Sequence, residues 1–355
     1  MSRGRRCATT ARIAYVLTAV SFAGIFTALW TGEAAAQSAD APYAGKQIRM
    51  VIASSAGGGY DSYARLLSRH LKKYIPGNPY IVDQNMPNAS GMQATNWAYT
   101  IAPKDGTVIL STYNSLLAEP LYGNSAVLYD PLKFEIIGSM AQQQNICLTW
   151  HTNPVKTIEQ AKTQEVIVTA TGVSGDSATM PKIVNTMFGT KFRVVTGYQS
   201  AQSRLAVERG EADGVCGLSW STLKATSPDW IQYKRINVLL QTGPKRNLEL
   251  PDVPTLLELA ASPEQKQVIE LLSFPQEMGR PFLMPPGTPK ETVTAIRQAF
   301  NATLKDPEFL ADAAKMGLEI DPLTGEDMER ILQKVYAMPK SLIQKAAELN
   351  GSSAR

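Results

Sequence analysis

The residues best placed to do chemistry lie within 47–70, QIRMVIASSAGGGYDSYARLLSRH. An apolar run of strand length, Ile48, Met50, Val51 and Ile52, leads into Ser54, Ser55, Ala56, Gly57, Gly58, Gly59, Tyr60 and Asp61. An amphipathic helix follows, with Tyr63, Leu66, Leu67 and Leu71 on one face. Three glycines after a buried strand let the backbone approach a ligand closely, and Asp61 is placed to cap the helix. A helix start carries unpaired N–H groups and a partial positive charge, so this turn suits an anion. The same pattern also describes an ordinary tight βα turn. It is not a P-loop, because no Lys-Ser or Lys-Thr follows the last glycine, and contiguous glycines do not make a dinucleotide fingerprint.

A second small polar turn, Thr171-Gly172-Val173-Ser174-Gly175-Asp176-Ser177, follows an apolar run at 166–170. It is not a Gly-x-Ser-x-Gly elbow, because the spacing between the two glycines is too short: Gly175 directly adjoins Ser174. Two histidines exist, His70 and His151. Cys147 and His151 share a strand face but would stand about 13 Å apart at strand rise. Too few Cys, His and carboxylate groups converge for a metal site, and no cofactor is implied. The chain reads as a binder, not an enzyme.

The elements that must position these turns alternate. Strands at 48–52, 80–82 and 107–111 enclose a first helix that follows Asp61 and ends near Pro76-Gly77 and a second at 92–101, the β-α-β-α-β repeat of an open parallel sheet. Thr112, Tyr113, Asn114 and Ser115 follow the third strand and either face the same crevice as the glycine turn or form a solvated loop. The second half repeats this logic with strands at 147–150, 166–170, 192–195 and 213–217 and helices at 157–162, 178–188 and 202–209. Its turns carry Tyr198, Ser200 and Trp220. With Tyr60, Tyr198 and Trp220 are placed either to stack on a ligand or to pack against their own lobes. Arg204, one helical turn beyond Ser200, is either a charge partner or a solvated helix residue. A strand at 237–241 leads back, a turn and short helix follow at 251–259, and helices are expected at 288–305, 306–316 and 325–347. The architecture is α/β and two-lobed: lobe I is 43–142 plus 242–355, lobe II is 143–241, and a cleft lies between.

The first 36 residues differ in kind. Arg3, Arg5, Arg6 and Arg12 make a basic start, 13–30 is mostly apolar, and Ala34-Ala35-Ala36 is a small-residue cleavage site. This is a secretory signal peptide for a periplasmic protein. Its removal takes away four arginines and Glu33 and brings the net charge from +4 to about +1, so no nucleic-acid footprint remains. Cys147 and Cys216 stay in an oxidising compartment, either as a disulfide or as two buried thiols.

These residues resemble the solute-binding receptors of tripartite tricarboxylate transporters, the Bug proteins. The resemblance rests on Ala56-Gly57-Gly58 with Asp61 and Ala64-Arg65-Leu66-Leu67, on Pro103-Lys104-Asp105-Gly106, on Leu250-Pro251-Asp252-Val253-Pro254-Thr255 and on Pro286-Gly287-Thr288-Pro289-Lys290-Glu291. It covers roughly 43–344. It implies a type II periplasmic-binding-protein fold that shuts over a di- or tricarboxylate or an aromatic acid. The implied ligand residues are Ser55, Ala56, Gly57, Gly58 and Asp61 in the first loop, with Thr112 and Asn114 after the third strand. In the second lobe they are Thr171, Ser174, Ser177, Tyr198 and Ser200, with Thr179 where the family has a histidine. Cys216-Gly217-Leu218 replaces the family's Phe-Asp-Asn. The implied partners are integral-membrane permease subunits, the receptor itself acting as a monomer; a sensor that presents its closed form to a signalling partner is the alternative.

Overall fold

Among the described residues, eleven strands divide between two sheets, and the division places every polar turn of interest. The computed structural model describes residues 42–170, 176–198, 200–243 and 245–350. The segment 1–36, expected to be a signal peptide, and the candidates Thr171 and Ser174 lie outside the described residues, as does the side chain of Ser200.

The strands are β1 (Gln47–Ile52), β2 (Tyr80–Asn85), β3 (Val108–Ser111), β4 (Glu135–Ser139), β5 (Asn145–Trp150), β6 (Val166–Ala170), β7 (Phe192–Thr196), β8 (Gly214–Ser219), β9 (Ile236–Gln241), β10 (Pro281–Met284) and β11 (Leu323–Thr324). The first sheet has the order β11-β4-β10-β3-β1-β2 and the second β7-β6-β8-β5-β9. In the first, β1 runs parallel to β2 and β3, whereas β10 is antiparallel to β3 and β4. In the second, β6 is parallel to β7 and β8, whereas β5 is antiparallel to β8 and β9. The mixed α/β, two-lobed reading of the sequence is what the chain adopts.

Alternation along β1 explains how the first sheet is covered on both faces. Ile48, Met50 and Ile52 pack with Tyr63, Leu66 and Leu67 of the helix Gly59–Leu71. Val51 and Ala53 point the other way, into a cluster with Leu110, Leu271 and Phe274. The chain passes between the sheets twice, just before β5 and just after β9. These crossings lie side by side: Thr242 N–H donates to the Asn145 carbonyl at 2.8 Å, and Asn145 N–H donates to Thr242 Oγ1 at 2.9 Å.

Three expectations need correction. The expected C-terminal helix is two, Gly325–Tyr336 and Lys340–Leu349, because Pro339 between them has no N–H to continue the ladder. Segment 251–259 is a series of turns rather than a short helix. The helix Pro263–Met278, unanticipated, buries Val268, Leu271, Leu272, Phe274 and Met278. Ser262 caps it, accepting the Gln265 N–H at 3.1 Å, so a Ser-Pro-Glu-Gln start was present in the sequence.

Cys147 on β5 and Cys216 on β8 are register partners, both buried, and are joined as a disulfide. Alkylation of the unfolded, unreduced protein is expected to leave both sulfurs unlabelled by intact-mass measurement. Reduction is expected to lower stability by about 2–4 kcal/mol. Two labelled thiols in protein taken from an oxidising compartment would remove the cross-link.

Candidate functional site

The glycine turn is folded onto itself. Gly57 takes a left-handed φ of +80°, which an L side chain adopts only with strain. Its N–H donates to Asp61 Oδ2 at 2.9 Å, and the Gly58 N–H reaches the Ser55 carbonyl at 3.4 Å. Gly58, not Asp61, occupies the N-cap position, without a side-chain cap. Asp61 sits in the first turn and is buried, where it also accepts Arg65 Nε at 2.9 Å and Asn85 Nδ2 at 2.8 Å. Asn85 Nδ2 in turn bonds the Ser54 carbonyl at 2.8 Å. Burial alone would raise the Asp61 carboxyl; the hydrogen bonds from Arg65, Asn85 and Gly57 outweigh it and hold the group below the usual range. Asp61 therefore braces the turn.

Beside this turn a cavity of about 360 Å³ opens between the two sheets. From the first sheet's connections it is lined by Tyr60, Ser90, Tyr113, Asn114 and Ser115. Gln143, in the first crossing, forms part of its wall. The second sheet and its helices supply Thr169, Asp176, Ser177, Ser203, Arg204, Val215, Gly217 and Leu218. Among these described residues there is no His, Cys or Lys, so the wall offers hydroxyls, amides, one guanidinium and one carboxylate.

A hydrogen-bonded relay runs across this wall. The Tyr60 hydroxyl donates to the Gly279 carbonyl and accepts the Asn114 N–H, each at 3.2 Å. Asn114 Nδ2 donates to Gln143 Oε1 at 3.3 Å, Gln143 Nε2 to Asn145 Oδ1 at 2.9 Å, and Asn145 Nδ2 to Asp176 Oδ2 at 2.6 Å. Burial raises the Asp176 carboxyl, opposed by the bonds from Asn145 and Gln276 and by the charge of Arg280. Burial likewise raises the Tyr60 phenol, so the hydroxyl stays protonated at neutral pH.

Arg280 is the cation that the sequence did not announce. It is 5% exposed, and its guanidinium lies 4.3 Å from the Tyr60 ring centre and 5.2 Å from that of Tyr63. A Cβ on Gly59 would sit 3.5 Å from its Nη2, so the guanidinium rests against the first turn of the helix Gly59–Leu71. Among the described residues no carboxylate lies within ion-pair distance of it. A desolvated cation and a helix N-terminus side by side both favour negative charge nearby.

Backbone strain marks the same place. Ala89 and Ser90 are non-glycine residues at φ of 51° and 52°. Gly91 follows at +81°, where a Cβ would fall 2.8 Å from the Ala53 carbonyl oxygen. This strained corner is pressed against the end of β1 and delivers Ser90 to the cavity.

Of the expected ligand residues, Tyr60, Asn114 and Ser177 line the cavity. Ser55, Ala56 and Gly57 are exposed and Gly58 is half-buried, but none of the four lines it. Thr112 is fully buried, its hydroxyl paired with that of Thr95 at 2.8 Å, because it continues the sheet rather than the turn. Thr179 and Tyr198 are half-buried and stand off the lining. Trp220 stands off this lining: it packs with Leu223 and Trp230, its indole N–H bonds Glu249, and it lines a second cavity of about 240 Å³. Ser90, Gln143, Ser203 and Arg280 were not expected. The run Gln142-Gln143-Gln144-Asn145 between two apolar strands was the available signal, since four consecutive amides are ill suited to a plain connection.

The family model described as "Tripartite tricarboxylate transporter family receptor" (TctC) matches residues 63–348. The chain belongs to this family. It is 24% identical over 321 residues to a UPF0065 protein of Bordetella bronchiseptica, covering 85% of this chain and 86% of that one. Its fold is similar to that of a TctC solute-binding protein from Polaromonas, with a TM-score of 0.63 at 19% identity over 84% of this chain and 98% of that one. It is also similar to R. palustris Rpa4515, solved with adipate, with a TM-score of 0.62 at 20% identity over 86% and 97%. As a TctC receptor the protein is a solute binder and not an enzyme, and no described helix is long and apolar enough to cross a membrane.

Two substitutions probe how this receptor's site is held. Tyr60→Phe removes a hydroxyl that serves two buried backbone groups, and is expected to cost about 1–3 kcal/mol in a urea titration. A cost below a few tenths would deny the hydroxyl that role. For Asp61 the sign follows from the lowered carboxyl. Its contribution is complete above the unfolded value near 3.9 and is lost as pH falls through the folded value. Asp61→Asn is therefore expected to lower stability at pH 7 by about 1–3 kcal/mol and to shrink the loss seen on acidification below about pH 4. An unchanged acid limb would show that Asp61 does not brace the turn electrostatically.

Proposed function

We propose that this receptor captures a small organic carboxylate, a di- or tricarboxylate or an aromatic acid, in the cavity between its lobes and delivers it to membrane permease subunits. The observation that carries this reading is the cavity itself. Both sheets contribute to its wall, Arg204 lines it, and a helix start with a buried guanidinium stands beside it. That a protein of similar fold was solved with adipate supports the same ligand class. The signal peptide read at 1–36 supports release into the periplasm, where the receptor works as a monomer.

The energetics are adequate. Micromolar affinity corresponds to about 8 kcal/mol. Hydrogen bonds to a charged group contribute about 1.5–3 kcal/mol each, so three or four offset the cost of ordering the ligand. The first-turn N–H groups of Gly59 and Tyr60 and the Asn114 amide supply donors on lobe I, and Ser177, Ser203 and Arg204 supply partners on lobe II. Lobes bounded at 43–142 plus 242–355 and at 143–241 would turn about the paired crossings at Asn145 and Thr242. Closure is driven by the extra contacts that the ligand makes in the closed state.

The test is a thermal-shift screen of the mature protein against mono-, di- and tricarboxylates, aliphatic and aromatic, followed by calorimetry. At a hundredfold excess over Kd, binding stabilises by about 2.7 kcal/mol, a shift of several degrees. A melting temperature unmoved by every acid at millimolar concentration would overturn the reading.

A further inference from the structure

Asp176 is the one carboxylate among the described residues lining the cavity, and it is poorly placed for a receptor that only needs to hold carboxylates. It opens the helix Asp176–Phe188 and faces the same space as Tyr60 and Arg204. Its position is fixed from two sides. Gly217, at φ +81°, lets the Asp176 carbonyl approach so closely that a Cβ there would overlap its oxygen. Asn145 Nδ2 holds Oδ2 at 2.6 Å, and the Asn145 amide is itself oriented by Gln143, which donates to its Oδ1 at 2.9 Å. The amide therefore presents its donor to Asp176, and Oδ2 is an acceptor.

A carboxyl group keeps acceptor lone pairs on its oxygens whether or not burial leaves it a proton. Asn145 and Gln276 account for two, and Asp176 lines the cavity. A ligand carboxylate seated against Asp176 would set two like charges together in a poorly hydrated space, where both do not remain ionised without cost. The positive features lie elsewhere, at Arg204 and at the start of the helix Gly59–Leu71 beside Arg280. A ligand that satisfies both ends carries an anionic group toward the cations and a hydrogen-bond donor toward Asp176.

We infer that Asp176 selects carboxylic acids that bear a hydroxyl or ammonium donor, against plain dicarboxylates of the same length. This rests on the proposed carboxylate-binding role and narrows its ligand class. A hydroxyl and an ammonium offer the same chemistry to an acceptor, and the choice between them is left to the probes.

The experiment is calorimetry on the mature protein with two matched series: succinate, malate and aspartate; adipate, 2-hydroxyadipate and 2-aminoadipate. In at least one series the hydroxy or amino acid is expected to bind at least about tenfold more tightly than the unsubstituted parent. A stronger gain for the amino acid assigns the donor as ammonium, and for the hydroxy acid as hydroxyl. In Asp176→Asn, the amide meets the fixed Asn145 donor with its oxygen and turns its NH₂ toward the cavity. Donor-bearing acids are then expected to lose at least about tenfold, and unsubstituted parents to bind as well or better. Asp176→Ser, which keeps a small polar group at the helix start, is expected to erase the preference without inverting it; matching melting temperatures confirm that either variant is folded. A wild-type protein that binds parent and substituted acids within threefold overturns the inference, as does a preference that survives Asp176→Asn. Failure of every acid to bind is a different result: it overturns the carboxylate reading and the inference with it.

Discussion

A guanidinium taken out of water, with no carboxylate among the described residues within ion-pair distance, is the constraint around which the first lobe is built. Burying such a group costs several kcal/mol unless its surroundings compensate. Arg280 is compensated by the faces of Tyr60 and Tyr63, and Gly59 leaves room for the guanidinium against the helix. Its backbone is locked as well: its N–H lies 3.0 Å from the Ala141 carbonyl and 2.9 Å from Ser139 Oγ. Tyr60 thus carries two duties, covering the cation with its ring and tying Asn114 to Gly279 with its hydroxyl. The positive end of the first helix and the buried cation reinforce one another, and the opposing negative group, Asp176, belongs to the other sheet's helices.

Between these charges lies a row of amides. Asn114, Gln143 and Asn145 have no net charge, but each amide is held in one orientation by its neighbours. Fixed dipoles of this kind hydrogen-bond a ligand without reorganising first, which lowers the cost of binding. The row also passes through the first crossing, so the wall and the joint between the sheets share the same residues.

Much of the fold was legible because periodicity is a local property. The alternation in β1 and the apolar stripe of the helix after it follow directly from packing on two faces of a sheet. The helix Pro263–Met278 escaped because Pro275 interrupts its interior and its ends are strongly polar. The break at Pro339 was readable in principle, since the ring forbids what the apolar stripe suggested. The site was less legible for a different reason. The glycines marked the right turn, but Asp61 took up the Gly57 amide, and the cavity formed one step further along, at Tyr60. Arg280 reaches that place from more than two hundred residues away, and no local pattern encodes such a meeting. Trp220 looked like a cleft ring from its position after β8, yet the indole found Glu249 and an apolar cluster around Leu223 and Trp230.

The cross-link between β5 and β8 has a mechanical meaning. β5 emerges directly from the crossing, and β8 carries Val215, Gly217 and Leu218 into the cavity wall. Pinning one to the other by a covalent bond suppresses shear between them. Any swivel at the crossing is then transmitted to the wall as a rigid lever, without slack absorbed inside the sheet.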